Sequence, residues 1–309
     1  MTGSIWFFRR WMAVAIAAGT LAGVSTASAQ QAFKTPEAAA AALVEAARTS
    51  ATGPMLGVLG LKGRDIVFSG DEAADAADRE RFLSAYQEKH QVTVDGDKAT
   101  LIVGQNDFPF PIPLVRKNGD WRFDTEAGRK EIVARRLGRN ELDAIQVSLA
   151  YVDAQNEYAS KDRTGAGVGS YAQRVASRPG KRDGLYWGTG AGEEASPLGA
   201  LAAQAEREGY KGGQGKTPYH GYFYKILKRQ GPAAPGGSMD YVVGGKMIGG
   251  FALLAYPAEY GNSGVMSFIV NQDGTVYQKD LGPRTSRLAT RIRSYDPDKT
   301  WEKVSVPQS

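Results

Sequence analysis

The stretch from Thr125 to about Ser160 constrains this chain most, because no proline interrupts it and its apolar residues recur at helical intervals. Apolar residues recur at Ile132, Val133, Leu137, Leu142, Ile145, Leu149 and Val152, the last four at close helical spacing, and Ala144, Val147, Ala150, Tyr151 and Ala154 make the later faces apolar as well. The second part of this helix should therefore be buried on more than one side. A straight helix of this length would reach about 54 Å at about 1.5 Å per residue, more than one small domain needs. Thr125 is placed to cap its start, and Gly138 followed by Asn140 offers a break and a new cap. One long helix, or two end to end, should thus join two halves of different character.

The first half places helices before strands. Thr35-Pro36-Glu37 combines a capping hydroxyl, a proline at the first helical position and an early carboxylate, so a helix should run to about Thr49. Pro54 to Leu61 predicts a further turn or two of helix, Ile66-Val67-Phe68 a brief strand, and Asp71 to His90 another helix. The period then changes to two. Val92 to Val94 and Ala99 to Val103 flank Asp95-Gly96-Asp97, a hairpin signal. The run Phe108 to Val115 holds Pro109, Pro111 and Pro113 and should lie at a sheet edge, and Asn118-Gly119 should turn it into Trp121 to Asp124.

Past Ser160 the composition shifts: 23 of the 38 glycines fall between Ser160 and Gly264. Gly165 to Ser170, Gly188 to Gly192 and Gly209 to Gly215 read as loops, with a helix at about Pro197 to Glu208. Strands are expected at Gly221 to Leu227, Tyr241 to Val243, Gly250 to Tyr256, Val265 to Val270 and Val276 to Asp280, then a helix at about Arg284 to Arg293. The fold class is α+β: two modules, each of helices plus a curved antiparallel sheet, joined by the central helix. The expected division is 1–29 signal peptide, 30–124 first module, 125–160 central helix, and 161–309 second, Gly/Tyr-rich module.

Arg9 and Arg10, the apolar run Trp11 to Val24 and the small residues Ala27-Ser28-Ala29 form a cleavable secretory signal, with the mature chain starting at Gln30. A periplasmic address follows, with no transmembrane anchor after cleavage. The chain has no cysteine, which excludes disulfides, thiol catalysis and thiolate metal sites. Its charge of +5 falls to +3 without the two signal arginines, too slight to argue for nucleic acid. One local excess, Arg129, Lys130, Arg135, Arg136 and Arg139, is either a solvated helix face or a patch for anionic envelope polymers or lipid headgroups.

Several familiar signatures fail on their chemistry. Gly215-Lys216-Thr217 ends like a phosphate-binding loop, but Tyr210 stands where that loop needs glycine and Pro218 blocks the helix that should follow. No nucleotide is therefore expected. Gly261-Asn262-Ser263-Gly264 is similar to the nucleophile loop of trypsin-like proteases, yet the only histidines are His90 and His220, and neither is placed to serve it. A tight turn between strands explains it better. Two distant histidines leave no metal site, and no cofactor is expected.

An aromatic and polar cluster remains in the glycine-rich half. Asp183, Trp187, Tyr219, His220, Tyr222, Lys246 and Tyr260 are the candidate binding residues, with Tyr186, Tyr224 and Tyr256 close by in sequence. Glycine allows close backbone approach to a ligand, and tyrosine and tryptophan offer flat faces with polar edges, as sugar or peptide groups require. The competing account is a core plugged by rings. His220 is the one candidate catalytic residue, because imidazole titrates near neutrality. These residues predict a non-catalytic envelope binding or scaffold module, whose partner would be an envelope polymer or envelope protein. The alternatives are a hydrolase using His220 with Asp183, Glu193 or Glu194, and a pilus-like assembly subunit.

Three resemblances accompany this reading. Element order and Gly119-Asp120-Trp121-Arg122-Phe123-Asp124 make the first half resemble nuclear-transport-factor-like or cystatin-like cones. Asp153 to Ser160, Gly221-Tyr222-Phe223-Tyr224 and Gly264 to Gly274 make the second resemble pilin-like globular domains, although the pilin signal and its amino-terminal helix are missing. The whole mature chain resembles the exported bacterial proteins called domain of unknown function 2950. That resemblance rests on Arg135 to Leu142, Asp183-Gly184-Leu185-Tyr186-Trp187, Pro218-Tyr219-His220-Gly221-Tyr222, Gly245 to Phe251 and Asp280-Leu281-Gly282. It implies an envelope protein and carries over no activity.

Overall fold

In the computed structural model, residues 30–305 are described except 50, 164, 166–168, 191 and 211–216. The expected signal peptide, 1–29, and part of each of the three glycine stretches lie outside the described residues. The chain folds as an α+β protein. Helix α1, Pro36–Arg48, begins where Thr35 accepts a hydrogen bond from Ala38 N at 3.1 Å. It buries Ala39, Ala40, Leu43 and Val44. Helices α2 (Thr52–Leu59), α3 (Arg64–Val67) and α4 (Glu72–Glu88) follow, with Asp71 capping α4. Ile66-Val67-Phe68 is thus not a strand. Its β-branched preference is overridden because the Arg136 guanidinium collects the carbonyls of Asp65 and Ile66, the free ends of a helical turn.

The first sheet runs in the order β1-β2-β4-β5, with β3 also on β2. Its strands are β1 His90–Asp95, β2 Lys98–Val103, β3 Phe108–Pro109, β4 Leu114–Lys117 and β5 Asp120–Phe123. Asn118 and Gly119 both have positive φ, 54° and 83°, the geometry a two-residue hairpin between β4 and β5 demands. The proline-rich run lies at the edge only in its first part. It breaks: β3 and β4 lie successively along the same side of β2, β3 paired with β2 alone and β4 interior, between β2 and β5. The prolines fall at the break, where no ladder donor is needed, or at its end. Phe33 pairs with the outer side of β5 through Trp121. Leu43, Leu59, Ile112, Leu114, Trp121 and Phe123 fill the core beneath.

Helix α5, Thr125–Ala159, is unbroken over 35 residues. Its cap is Asp124, which accepts from Ala127 N, whereas the Thr125 hydroxyl donates to Leu59 O at 2.6 Å. Gly138 does not interrupt it, and the Asn140 side chain, free of any capping role, donates to Ser263 O at 2.9 Å. Gly128 lets α5 lie directly on the first module, since a Cβ there would sit 2.6 Å from Pro111 O. The later half of α5 contributes Ala144, Ile145, Tyr151, Val152, Ala154 and Tyr158 to a second core.

That core is built on an antiparallel sheet in the order β14-β13-β12-β11-β6. After α6 (Gly199–Arg207) come β6 Tyr222–Leu227, the small pairs β7 Arg229–Gln230 with β8 Met239–Asp240 and β9 Val242–Val243 with β10 Lys246–Met247, then β11 Ala252–Pro257, β12 Met266–Asn271 and β13 Tyr277–Asp280. Helix α7, Thr285–Ala289, and β14, Glu302–Lys303, complete it. Ala252 to Ala255 are all buried without alternation, because α5 covers one face of β11 and α7 the other.

Candidate functional site

The two modules meet where the turn 261–264 docks against α5 and the α3–α4 connection. Arg136, buried on α5, donates to Asp65 O (2.6 Å), Ile66 O (2.8 Å) and Asn262 Oδ1 (2.8 Å). Asn262 in turn donates to Phe68 O at 2.8 Å. Ser263 is wholly buried and exchanges hydrogen bonds with Glu259 N and O, so it is a turn residue and reaches no substrate. Burial lowers the Arg136 guanidinium from its usual value, against the opposing pull of Asp75 and Asp78.

Further along α5 a cleft of about 420 Å³ opens, lined by Tyr151, Tyr186, Leu198, Leu201, Tyr219 and Tyr224 among others, with Leu253 of β11 beneath. Val147 and Tyr151 face it from α5, and Leu201, Ala202 and Ala205 from α6. At one end Tyr210 meets Tyr219 edge to face, with ring centres 4.8 Å apart. Tyr219 in turn lies against His220 at 4.1 Å.

His220 is held in a left-handed backbone conformation, φ 50°, followed by Gly221 at 75°. Histidine tolerates this region better than most residues, but the second position needs glycine: a Cβ at Gly221 would lie 2.5 Å from Asn140 Nδ2. The turn is anchored by the buried Asp71, whose Oδ2 accepts from Gly221 N (2.8 Å) and the Tyr210 hydroxyl (2.9 Å). Tyr210 Oη accepts from His220 N at 3.2 Å.

The imidazole sits between two carboxylates. Nε2 bonds Glu208 Oε2 at 2.7 Å, and Nδ1 lies 2.9 Å from Asp143 Oδ2, an ion-pair contact angled away from a linear hydrogen bond. Burial alone would lower the His220 pKa, yet the two carboxylates outweigh it and raise the value. Burial likewise would raise Glu208, but the bonds from His220 and Gln204 hold it below its usual range. Tyr210 and Tyr219 are pushed far up, first by burial and then by Asp71 and Glu208 respectively, so both remain neutral donors. The cluster is therefore an imidazolium clamp tying α5, α6 and β6 together. Both ring nitrogens are taken, and none is left to accept a proton from substrate.

Removing the clamp has a pH signature. His220→Gln is expected to cost about 1–3 kcal/mol, since Asp143 and Glu208 then face a neutral side chain. A raised histidine contributes fully below its unfolded value of 6.5, and the contribution fades as pH rises through the folded value. A depressed Glu208 contributes above 4.5, and its share fades as pH falls through its folded value. The gap between wild type and variant should thus be widest between those limits and narrow as pH rises through the folded histidine value. Urea unfolding across that range checks it; a gap independent of pH would show that the ring acts only by packing.

Of the seven residues singled out in the sequence, Tyr219 lines the cleft, His220 packs against Tyr219, and the other five are engaged elsewhere. Tyr222 is fully buried, its hydroxyl donating to Met266 O at 2.9 Å. Trp187 is buried, donates to Glu194 O, and has Arg163 and Arg182 over its ring. Asp183 accepts from Arg178 N and Nε, Tyr260 donates to Asp280 Oδ2, and Lys246 is exposed on the β9–β10 pair. The carboxylates facing His220 are Asp143 and Glu208, not Asp183, Glu193 or Glu194. Glu193 accepts from Gly190 N, and Glu194 binds Lys161, Arg163 and Arg182. Helical spacing held the missing signal: Asp143, Val147 and Tyr151 share one face of α5, and Leu201, Ala205 and Glu208 one face of α6.

Asp143 and Glu208 address opposite edges of the imidazole and do not converge. Among the described residues no group of three or more His, Asp or Glu is placed to hold a metal ion, and no helix is long and apolar enough to cross a membrane.

Two sheet-and-helix modules on one through-running helix, with an aromatic cleft in the second, define the architecture. The chain belongs to the family described as Protein of unknown function (DUF2950), which it matches over residues 30–304. No curated protein and no solved structure matches it, and the cone-like and pilin-like resemblances of the two halves rest on element order and short stretches of sequence.

Proposed function

We propose that this chain is an exported bacterial envelope protein that binds, without catalysis, a polymer or protein partner through the aromatic cleft of its second module. The observation that carries this reading is that His220 has both ring nitrogens on carboxylates while an open, tyrosine-lined cleft lies beside it. Tyrosine faces and an apolar floor suit the face of a sugar ring or an aromatic or aliphatic peptide side chain. Glu206 supplies a polar edge. Export is supported by the amino-terminal pattern ending at Ala29.

Purified peptidoglycan sacculi test the binding and separate it from hydrolysis. The mature chain is expected to co-sediment with sacculi without releasing soluble fragments, and Leu201→Arg, which places a charge in the cleft, should lower the bound fraction at least tenfold. Release of fragments that His220→Gln abolishes would favour the hydrolase instead. Retention of binding by the Leu201→Arg protein would remove the cleft as the site. Recovery of the chain in the cytoplasm with residues 1–29 attached would overturn the address.

A further inference from the structure

We infer that the concavity of the first module is a separate ligand site, shaped for one single-chain anionic amphiphile. The hollow holds about 430 Å³ between the helices and the sheet, and its floor is apolar: Leu43, Leu59, Phe82, Phe110 and Ile132. Its rim is cationic. Arg79 and Arg81 reach it from α4, Arg135 and Arg139 from α5. Two further charged lining groups are already committed: Asp75 accepts from Ser69 N, and Arg136 serves the module seam. Four arginines therefore face Asp78 within the lining and Glu131 just outside it.

The existing partners of these arginines are ones a ligand can displace. Arg81 pairs with Asp78 and Arg135 with Glu131, all on solvent-exposed side chains, and Arg139 lies 3.8 Å from Asp78. Exposed pairs of this kind are loosely held, whereas guanidinium groups bind phosphate or carboxylate oxygens in paired, charge-assisted fashion. Arg135 also lies over the exposed Phe108 ring at the mouth, 5.9 Å from its centre, which keeps that guanidinium at the entrance. The volume stands near the small end of the range for ligand pockets, about 300–1,000 Å³, so it suits one alkyl chain and not two. A greasy floor under a ring of positive charge fits a tail buried inward and an anionic head at the rim.

Calorimetry of the purified mature chain with dodecyl phosphate, below its micelle concentration, tests this. One-to-one binding is expected, with affinity rising about fourfold for each methylene added from octyl to dodecyl phosphate. Inorganic phosphate should give no heat, and dodecyltrimethylammonium should bind at least tenfold more weakly. Arg135→Glu with Arg139→Glu, both at exposed positions, should reverse that preference. Ala85→Trp, which fills the hollow from α4, should abolish binding of the phosphate with the rim charges intact. Equal binding of the cationic and anionic amphiphiles, or unchanged binding by the Ala85→Trp protein, would overturn the inference. Loss of binding in the Leu201→Arg protein instead would assign the amphiphile to the second-module cleft and overturn it equally. Phosphatidylglycerol vesicles, which present phosphate on two-chain lipids, should not deplete the protein. Depletion without dodecyl phosphate binding would make the rim a membrane-surface patch and the cavity no site.

Discussion

Asp71→Ala is expected to lower the unfolding free energy by about 3–5 kcal/mol, because one carboxylate serves three donors on two modules. Its Oδ1 caps α4 through Ala74 N at 3.1 Å, and its Oδ2 receives Gly221 N and the Tyr210 hydroxyl. The residue is 1% exposed, so water does not readily replace it. Loss of the cap alone is worth about 0.5–2 kcal/mol. Each buried donor left without an acceptor adds about 1–3 kcal/mol, less any relaxation. Asp71→Asn offers a single acceptor oxygen to three donors and should recover less than half the loss. Urea unfolding at neutral pH measures both. Binding measured in the same proteins should fall as well, because Tyr210 lines the cleft and the His220–Gly221 turn follows directly on the lining residue Tyr219. A loss below about 1 kcal/mol would mean that solvent or a rearranged turn takes over those donors.

What the sequence disclosed and what it concealed divide by the range of the interactions. Thr35-Pro36 and Asn118-Gly119 act within one turn of chain, and the structure starts α1 and closes the β4–β5 hairpin on those residues. The span of α5 was legible for the same reason, since periodicity and the lack of proline are local. Ile66 to Phe68 misleads because its conformation is set by Arg136, far along the chain. The proline run misleads in another way: prolines are tolerated where a strand breaks as well as at an edge, and sequence does not distinguish these. At the site, glycine and tyrosine density singled out the second module, where the structure places Tyr219 in the cleft and His220 against it. It did not separate rings that line a cleft from rings such as Tyr222 that fill the core, because both need flat apolar faces and one bonded hydroxyl. The partners of His220 come from α5 and the end of α6, and only the packing of those helices brings them together.

Arg136→Met should lower stability by about 3–4 kcal/mol and, more tellingly, loosen the coupling between the modules. Methionine keeps much of the stem and removes the head, so the expected loss comes from the three acceptors it abandons: Asp65 O, Ile66 O and Asn262 Oδ1. Asp65 and Ile66 are only partly buried, and hydration of their carbonyls keeps the figure from rising further. Lysine is not a substitute, because one ammonium does not span acceptors on two segments that a planar fork reaches together. The same guanidinium holds the α3 turn and the turn at 261–264, so its removal weakens the seam at which the two modules unfold together. The expected readout is a broadened or biphasic urea transition with a smaller apparent m-value, where wild type gives one steep step. Asn262→Ala should produce the same broadening, since Asn262 also donates to Phe68 O. A double-mutant cycle should then return a coupling of about 1–3 kcal/mol between Arg136 and Asn262. Additive effects with a single sharp transition would show that the unbroken α5, and not this polar seam, binds the modules into one cooperative unit. In that case the glycine-flanked turn at Asn262 and Ser263 would be no more than a strand connection.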